Sequence, residues 1–527
     1  MGKPGDNGAD GFTRLNSFFS MILFEKYMTN NAKSSEQDMS AGARHQLTRI
    51  LIINMSWCLG LSLFFVVFLW RFWEKGVFVL GVNSCVFLLG LLALFIRPLY
   101  RDDRIKARDM YWIVPLGLIP FSYLLYANPF IKAVSLLVYP VLLALFINYG
   151  ILKGKEGRRW DFDFVINFIS RFFSFLPRIG TAFRYYLDMF SPRVKSGKGS
   201  IRRIILGIVL LLLISLTVVI PLLSSADPVF GDKLAFIYDW VKQYIAESVF
   251  AKTVFVLVFS ILLFSALLAW TREFDYSEKN NAKPVDAIVS GIVLGGILAL
   301  YLLFLWVQIE RLWVGSLPFE FRETETLVKS GFWQLFFLTG LNTLLYFFTY
   351  RRTSAPVQRI LVAFTVASLF LLVSAGHRMA LYVTNYGFSY EKFFSSYTVV
   401  YSAILFVWLF ISLFRKKRAN IFKFMVFLFL WMYALITVMP VEQFIFRTNV
   451  ALAGRSETRI RLYEMTMLSS DVLGLVKEYK SKGWLEEKTK FLDREKKDIT
   501  GNTFDWQPWI DKQEKLLSEK RWYEFNF

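Results

Sequence analysis

The stretch Ile50–Trp70 reads ILIINMSWCLGLSLFFVVFLW and contains no charged residue. At 1.5 Å per residue a helix of this length covers about 30 Å, the thickness of bilayer hydrocarbon. Backbone polar groups find no water in lipid, so such a segment has to satisfy them internally, as helix. The pattern recurs at Val77–Ile96, Tyr111–Tyr126, Phe130–Tyr149, Ile204–Leu223, Val249–Trp270 and Asp286–Gln308. Four more stretches follow at Gly331–Thr349, Val357–Ala375, Ser396–Phe414 and Ile421–Met439. The expected fold is all-α: a polytopic helical membrane protein with about eleven transmembrane helices.

Charge tests that division. Of the 61 Lys and Arg residues, 34 fall in alternate connecting segments beginning with residues 1–49, 11 fall on the opposite side, and 16 lie in residues 440–527. Basic residues collect in cytoplasmic loops. The bias therefore places the N-terminus in the cytoplasm and, after an odd number of crossings, the C-terminus outside. Tyr111–Tyr126 is the weakest span, because it is short and carries Pro115 and Pro120, each of which removes a helical hydrogen bond. Asn128-Pro129 then forms a turn, so residues 111–150 read as two spans or as one re-entrant hairpin.

Composition agrees with a membrane location. The chain has 527 residues, 55% of them hydrophobic, and only 19% charged. Its mean hydropathy is +0.44. A net charge of +20 in a soluble chain would point to nucleic acid, but here the basic loops facing anionic lipid account for it. Membrane lipids are the expected partners and nucleic acid is not. Cys58 and Cys85 both lie in apolar spans and form neither a disulfide framework nor a metal spacing.

Two regions flank the membrane domain, residues 50–439, and a long loop lies within it. Residues 1–49 form a polar leader without the features of a cleavable signal peptide, and Phe12–Tyr27 has the spacing of a surface helix. In the cytoplasmic loop 150–203, Phe162, Val165, Ile166, Ile169, Phe172 and Phe173 share one helical stripe. That stripe reads as an interfacial helix with Arg171, Arg178 and Arg184 near lipid phosphates. Residues 440–527 read as an extracytoplasmic helical tail domain. Arg455–Glu478 is predicted helical, Ser469 and Ser470 with Asp471 restart a helix, and four tryptophans supply apolar surface.

Candidate sites are few. Glu310 and Arg311 follow one span, while Arg378 and Glu391 follow another, so the four form a candidate polar cluster at the outer face. Gly387 is placed to end a helix in the left-handed conformation, and Ser389 to cap the next. Asn83, Thr339 and Asn342 are the candidate intramembrane polar groups. No P-loop, HExxH or GxSxG motif occurs, so no catalytic residue, metal or cofactor is expected. Proton-coupled carriers usually keep an ionisable group at mid-membrane depth. None lies there in these spans.

Several separated motifs together resemble a known family. They are Ser225-Ala226-Asp227-Pro228-Val229-Phe230, Gly331-Phe332-Trp333-Gln334-Leu335, Arg378 with Leu381-Tyr382 and Tyr386-Gly387-Phe388-Ser389, Arg447-Thr448-Asn449, and Asp505-Trp506-Gln507-Pro508-Trp509. In this order, across residues 50–527, they resemble a bacterial multi-spanning membrane family catalogued as a domain of unknown function, the 4173/4153 group. Phe388, Ser389 and Lys392 stand where that family more often has leucine, threonine and arginine. The resemblance implies the architecture and carries no activity. The leading expectation is a non-enzymatic envelope scaffold, or a protein binding an envelope partner through its C-terminal tail. The alternatives are a transporter or lipid-handling protein with a polar path between spans, and a membrane enzyme with an outer-face site.

Overall fold

The computed structural model of the protein describes residues 41–102, 109–152, 168–190, 249–271, 286–312, 337–350, 352–415, 420–454, 460, 465–485 and 505–526. The regular structure among them is helical. The Phe12–Tyr27 segment, the Ile204–Leu223 span and the motifs at 225–230 and 331–335 lie outside the described residues.

The apolar stretches become α1 (Ala41–Phe64), α2 (Val82–Arg101), α3 (Met110–Leu125), α4 (Pro129–Leu152), α6 (Val249–Thr271) and α7 (Ala287–Leu312), with α5 (Ile179–Phe190) between α4 and α6. α8 (Phe337–Thr349), α9 (Ala355–Tyr386), α10 (Tyr390–Phe414) and α11 (Ile421–Val438) complete the series. Among the described residues eight of these helices are long and apolar enough to cross a membrane, and α3 and α8 are shorter apolar helices. Large apolar side chains face outward all along them: Leu137 is 75% exposed and Ile288 73%. Contiguous apolar surface of that kind is foreign to soluble proteins and normal against lipid. Polar side chains on the spans close on their own backbone. The Thr343, Thr365 and Ser368 hydroxyls donate to carbonyls one turn back, at 2.7–2.8 Å.

Two of the boundaries that differ from the sequence reading bear on candidate residues. α2 starts at Val82 rather than Val77, because a short turn over Gly76–Val79 intervenes and Gly76 has φ +66°. α9 does not stop at Ala375. It runs on to Tyr386, so His377 and Arg378 sit inside a helix and not in a loop. The helix ends where expected, at Gly387 with φ +67°, and the Ser389 hydroxyl accepts from the Lys392 amide.

Residues 1–60 with 180–264 form one compact unit, and residues 61–179 with 265–527 form a second. In the first, the Tyr186 hydroxyl pairs with Ser260 Oγ and its ring meets Phe264 edge-on. In the second, α3 and α4 are antiparallel along their length. The Tyr123 hydroxyl reaches the Lys132 carbonyl near the turn, and the Trp112 and Tyr149 rings meet at the far ends, 5.1 Å apart. Buried and half-buried tyrosines tie neighbouring helices by donating to carbonyls across the interface. Tyr139 reaches Leu88 at 3.0 Å, Tyr350 reaches Ser412 at 2.9 Å and Tyr401 reaches Met425 at 3.1 Å. Two of the three arginines expected near lipid phosphates have partners within the protein. Arg171 and Arg178 each donate at 2.8 Å to carbonyls in the last turn of α6, those of Trp270 and Leu268, where a cation complements the helix dipole. Ile169, Phe173 and Leu176 keep the same segment apolar on its exposed side.

After α11 the chain continues into α12 (Val441–Ala453), a 3-10 turn Ser470–Val472 leading into α13 (Leu473–Ser481), and α14 (Gln507–Ser518). These elements share one apolar core with the spans. Ile131 and Ile436 from the spans pack with Phe446, Val472, Val476, Trp506 and Trp509. The tail is therefore a cap built onto one end of the second unit's helices.

Candidate functional site

Pro440 cannot continue the helical ladder, so α11 ends at Val438 and α12 begins at Val441. This break sets Glu442 in the first turn of α12, where it is only 2% exposed. Its carboxylate takes three donors. The Ser469 amide and hydroxyl both reach Oε2 at 2.7 Å, and the Tyr390 hydroxyl bonds Oε1. The same Ser469 hydroxyl accepts from the Asp471 amide at 3.3 Å, which starts the 3-10 turn as the sequence predicted. The Asp471 side chain points the other way. Its two oxygens accept from the Ala127 amide at 2.6 Å and the Asn128 amide at 3.2 Å, in the turn between α3 and α4. Asn128 in turn caps α4 through the Ile131 amide at 3.0 Å, while its own side-chain nitrogen is buried without a hydrogen bond.

Two cations lie near these carboxylates without pairing to them. Lys132, 1% exposed in the first turn of α4, donates to the Leu80 carbonyl. Lys520 donates to Asn526 Oδ1 at 2.9 Å. Burial raises the Glu442 carboxyl to about 7, the negative Asp471 beside it adds to the rise, and the Ser469 and Tyr390 hydrogen bonds oppose it. Burial likewise raises Asp471, against the pull of the Ala127 amide and of Lys132 and Lys520. Burial lowers Lys520.

The C-terminal segment closes the same end. Glu524 is fully buried and accepts from Arg71 at 2.9 and 2.6 Å and from the Arg521 amide at 2.9 Å. Asn526 donates to the Tyr123 and Tyr126 carbonyls at 2.5 and 3.0 Å. The backbone here passes so close to Gly81 that a β-carbon there would lie 2.5 Å from the Glu524 carbonyl oxygen. Between this segment, the 466–470 strip and the Arg71–Val79 turn lies a cleft of about 440 Å³.

The residues singled out from sequence fare differently. Asn83 is not at mid-depth. It sits in the first turn of α2, where its side chain accepts from the Gly81 and Ser84 amides and donates to the Phe68 and Val79 carbonyls. Asn342 is buried between the Tyr301 hydroxyl, at 2.5 Å, and Ser368 Oγ, at 3.1 Å. Thr339, half-buried one turn earlier on α8, gives its carbonyl to Thr343. Asn83 shares no hydrogen-bond partner with the α8 pair. Arg378 is half-buried within α9 and Glu391 is exposed in the first turn of α10. Glu310 and Arg311 fall in the last turn of α7, with side chains outside the described residues. A polar cluster that the described residues do assemble is Glu442, Ser469, Asp471 and Tyr390 with Lys132. Of these only the Ser469–Asp471 cap was anticipated. A lysine three residues into an otherwise apolar span was the available signal for Lys132.

The fold and this site define a class: an all-α polytopic membrane protein whose helical cap is clasped to the span ends by buried carboxylates. A family model described as "Domain of unknown function (DUF4153)" matches residues 113–479, and the chain belongs to that family. The match includes Lys132, Tyr390, Glu442, Ser469 and Asp471; Arg71, Lys520 and Glu524 lie beyond it. No curated protein and no solved structure matches.

Proposed function

We propose that this protein is a non-enzymatic binding or scaffold protein of a bacterial inner membrane, with its N-terminus in the cytoplasm and its cap outside. The single observation that carries the binding role is the 440 Å³ cleft between cap and span ends, within the usual size range of ligand sites. The carboxylates support a structural role for the clasp, since Glu442 and Asp471 are engaged by donors from the protein itself. A polar path through the spans is disfavoured, because the side-chain atoms of Asn83 and Asn342 are taken up by internal partners. The sidedness rests on the bias of basic residues between loops.

The test is labelling at Met467, an exposed residue on the cleft rim. A Met467→Cys variant in which Cys58 and Cys85 are replaced by serine is treated, in intact cells, with a membrane-impermeant thiol-reactive benzophenone and then irradiated, so that a bound protein or amphiphile is captured alike. Reaction from outside and a discrete adduct are expected. Reaction only after permeabilisation would overturn the sidedness, and external reaction without an adduct would overturn the partner-binding role.

A further inference from the structure

We propose that the cleft between the cap and the span ends holds the phosphate head group of an anionic phospholipid-type amphiphile, which enters from the bilayer edge. The proposal rests on the binding reading above and names its ligand class.

Charge comes first. Arg71, Lys75, Lys512 and Lys520 line the cleft against one carboxylate, Glu519. Lys75 is paired with Glu519 at 3.1 Å and Arg71 with Glu524 at 2.6 Å. Among the described residues neither Lys512 nor Lys520 is ion-paired, so the cleft keeps an excess of positive charge. Lys520 is also partly desolvated, and an incoming phosphate oxygen would return to its ammonium the stabilisation that burial removes.

Apolar surface distinguishes an amphiphile from a free anion. Phe78, Val79, Leu468, Leu516 and Leu517 give the wall an apolar part, and Phe78 and Leu516 are exposed. A site for an inorganic ion would gain nothing from such a wall, whereas an acyl or glycerol moiety would bury it.

Position agrees. Arg71 and Lys75 follow directly on the first span, which ends at Leu69, and Pro129 in the lining opens another span. The cleft therefore lies where hydrocarbon gives way to head groups. Trp73 and Trp522 are exposed nearby in the chain, as aromatic side chains are at that boundary.

The experiment uses full-length protein in nanodiscs of pure phosphatidylcholine, titrated with dioctanoyl phosphatidylglycerol and followed by a change in tryptophan fluorescence. Saturable binding is expected, weakened roughly tenfold by Lys512→Glu, which removes one contact and adds repulsion. Lys512 is exposed, so this variant should fold. Lys480→Glu, a charge change on the cap outside the cleft lining, should bind as the wild type does. Dioctanoyl phosphatidylcholine should not bind, and inorganic phosphate should not compete. Equal binding by Lys512→Glu, equal weakening by Lys480→Glu, binding of phosphatidylcholine, or saturation by inorganic phosphate would each overturn the proposal. None of these outcomes alters the Met467 crosslinking result, so the two readings fail separately.

Discussion

Ser469 donates both its backbone amide and its hydroxyl to a single oxygen of Glu442, each at 2.7 Å. Glu442 lies in the first turn of the cap and Ser469 opens the turn that leads to Asp471, so one serine connects the cap carboxylate that meets Tyr390 of α10 to the one that meets the turn between α3 and α4. Removing the Glu442 carboxyl leaves those two donors and the Tyr390 hydroxyl buried without an acceptor. Glu442→Ala should cost about 2–4 kcal/mol. Glu442→Gln keeps an acceptor at the same place and should cost less than half of that. Thermal unfolding of the purified protein in detergent measures both, and equal losses would contradict the assignment.

Proton binding should stabilise the clasp, which is the reverse of the usual carboxylate behaviour. In the unfolded chain a glutamate titrates near 4.3, whereas folded Glu442 titrates at about 7. Between those values the native state holds more protons than the unfolded one, so stability falls as pH rises through the window and levels off above it. Asp471 is shifted in the same direction. The groups around the pair are Tyr390, Lys132 and Lys520. Unfolding monitored at the cap should show it about 1–2 kcal/mol more stable at pH 5.5 than at pH 7.5. That difference should shrink in Glu442→Gln. An unchanged pH slope in the variant would reject the assignment to Glu442.

The Arg71–Glu524 pair should behave as a buried ion pair. Glu524 has no exposed side-chain surface, and Arg71 is 19% exposed. Arg71→Ala alone strands a buried carboxylate and should cost about 3 kcal/mol. The double variant Arg71→Ala/Glu524→Ala should cost less than the sum of the single changes. Limited proteolysis of residues 521–526 reports the release of the segment, and strict additivity would argue against the contact.

Two glycines should respond in opposite senses. Gly387 has φ +67°, and a β-carbon there would lie 2.6 Å from Asn449 Oδ1, the atom that accepts from the Phe388 amide. Gly387→Ala should therefore destabilise by about 1–3 kcal/mol. Gly474 sits inside α13 with nothing within 4 Å of a β-carbon, so Gly474→Ala should stabilise by about 0.5–1 kcal/mol. Melting temperatures of the two variants settle the comparison.

Features encoded over short distances in the chain were readable from sequence. The spans follow from apolar run length, and the Asn128-Pro129 turn, the Gly387 stop and the Ser389 and Ser469 caps follow from local backbone chemistry. Boundaries failed where apolar run length and helix length part company: the Gly76–Val79 turn and the Asn83 side chain on the Gly81 amide delay α2, and nothing between Ala375 and Gly387 stops α9. The clasp was missed because its contacts are tertiary. Asp471 meets partners 344 residues away, and no periodicity announces such a pairing. Searching for charge at mid-span also passes over Lys132 and Glu442, which lie at the helix ends. The grouping of Glu310, Arg311, Arg378 and Glu391 rests on adjacency in the chain, and the side chains of Glu310 and Arg311 lie outside the described residues.

The most direct test is hydrogen exchange of the full-length protein in nanodiscs, read on a peptide containing Ala127 and Asn128. Both amides donate to Asp471, at 2.6 and 3.2 Å. In Asp471→Ala their protection should fall at least tenfold while the interior of α4 stays protected. Identical exchange in wild type and variant would mean that Asp471 does not clasp this turn, and the cap would have to be held in some other way.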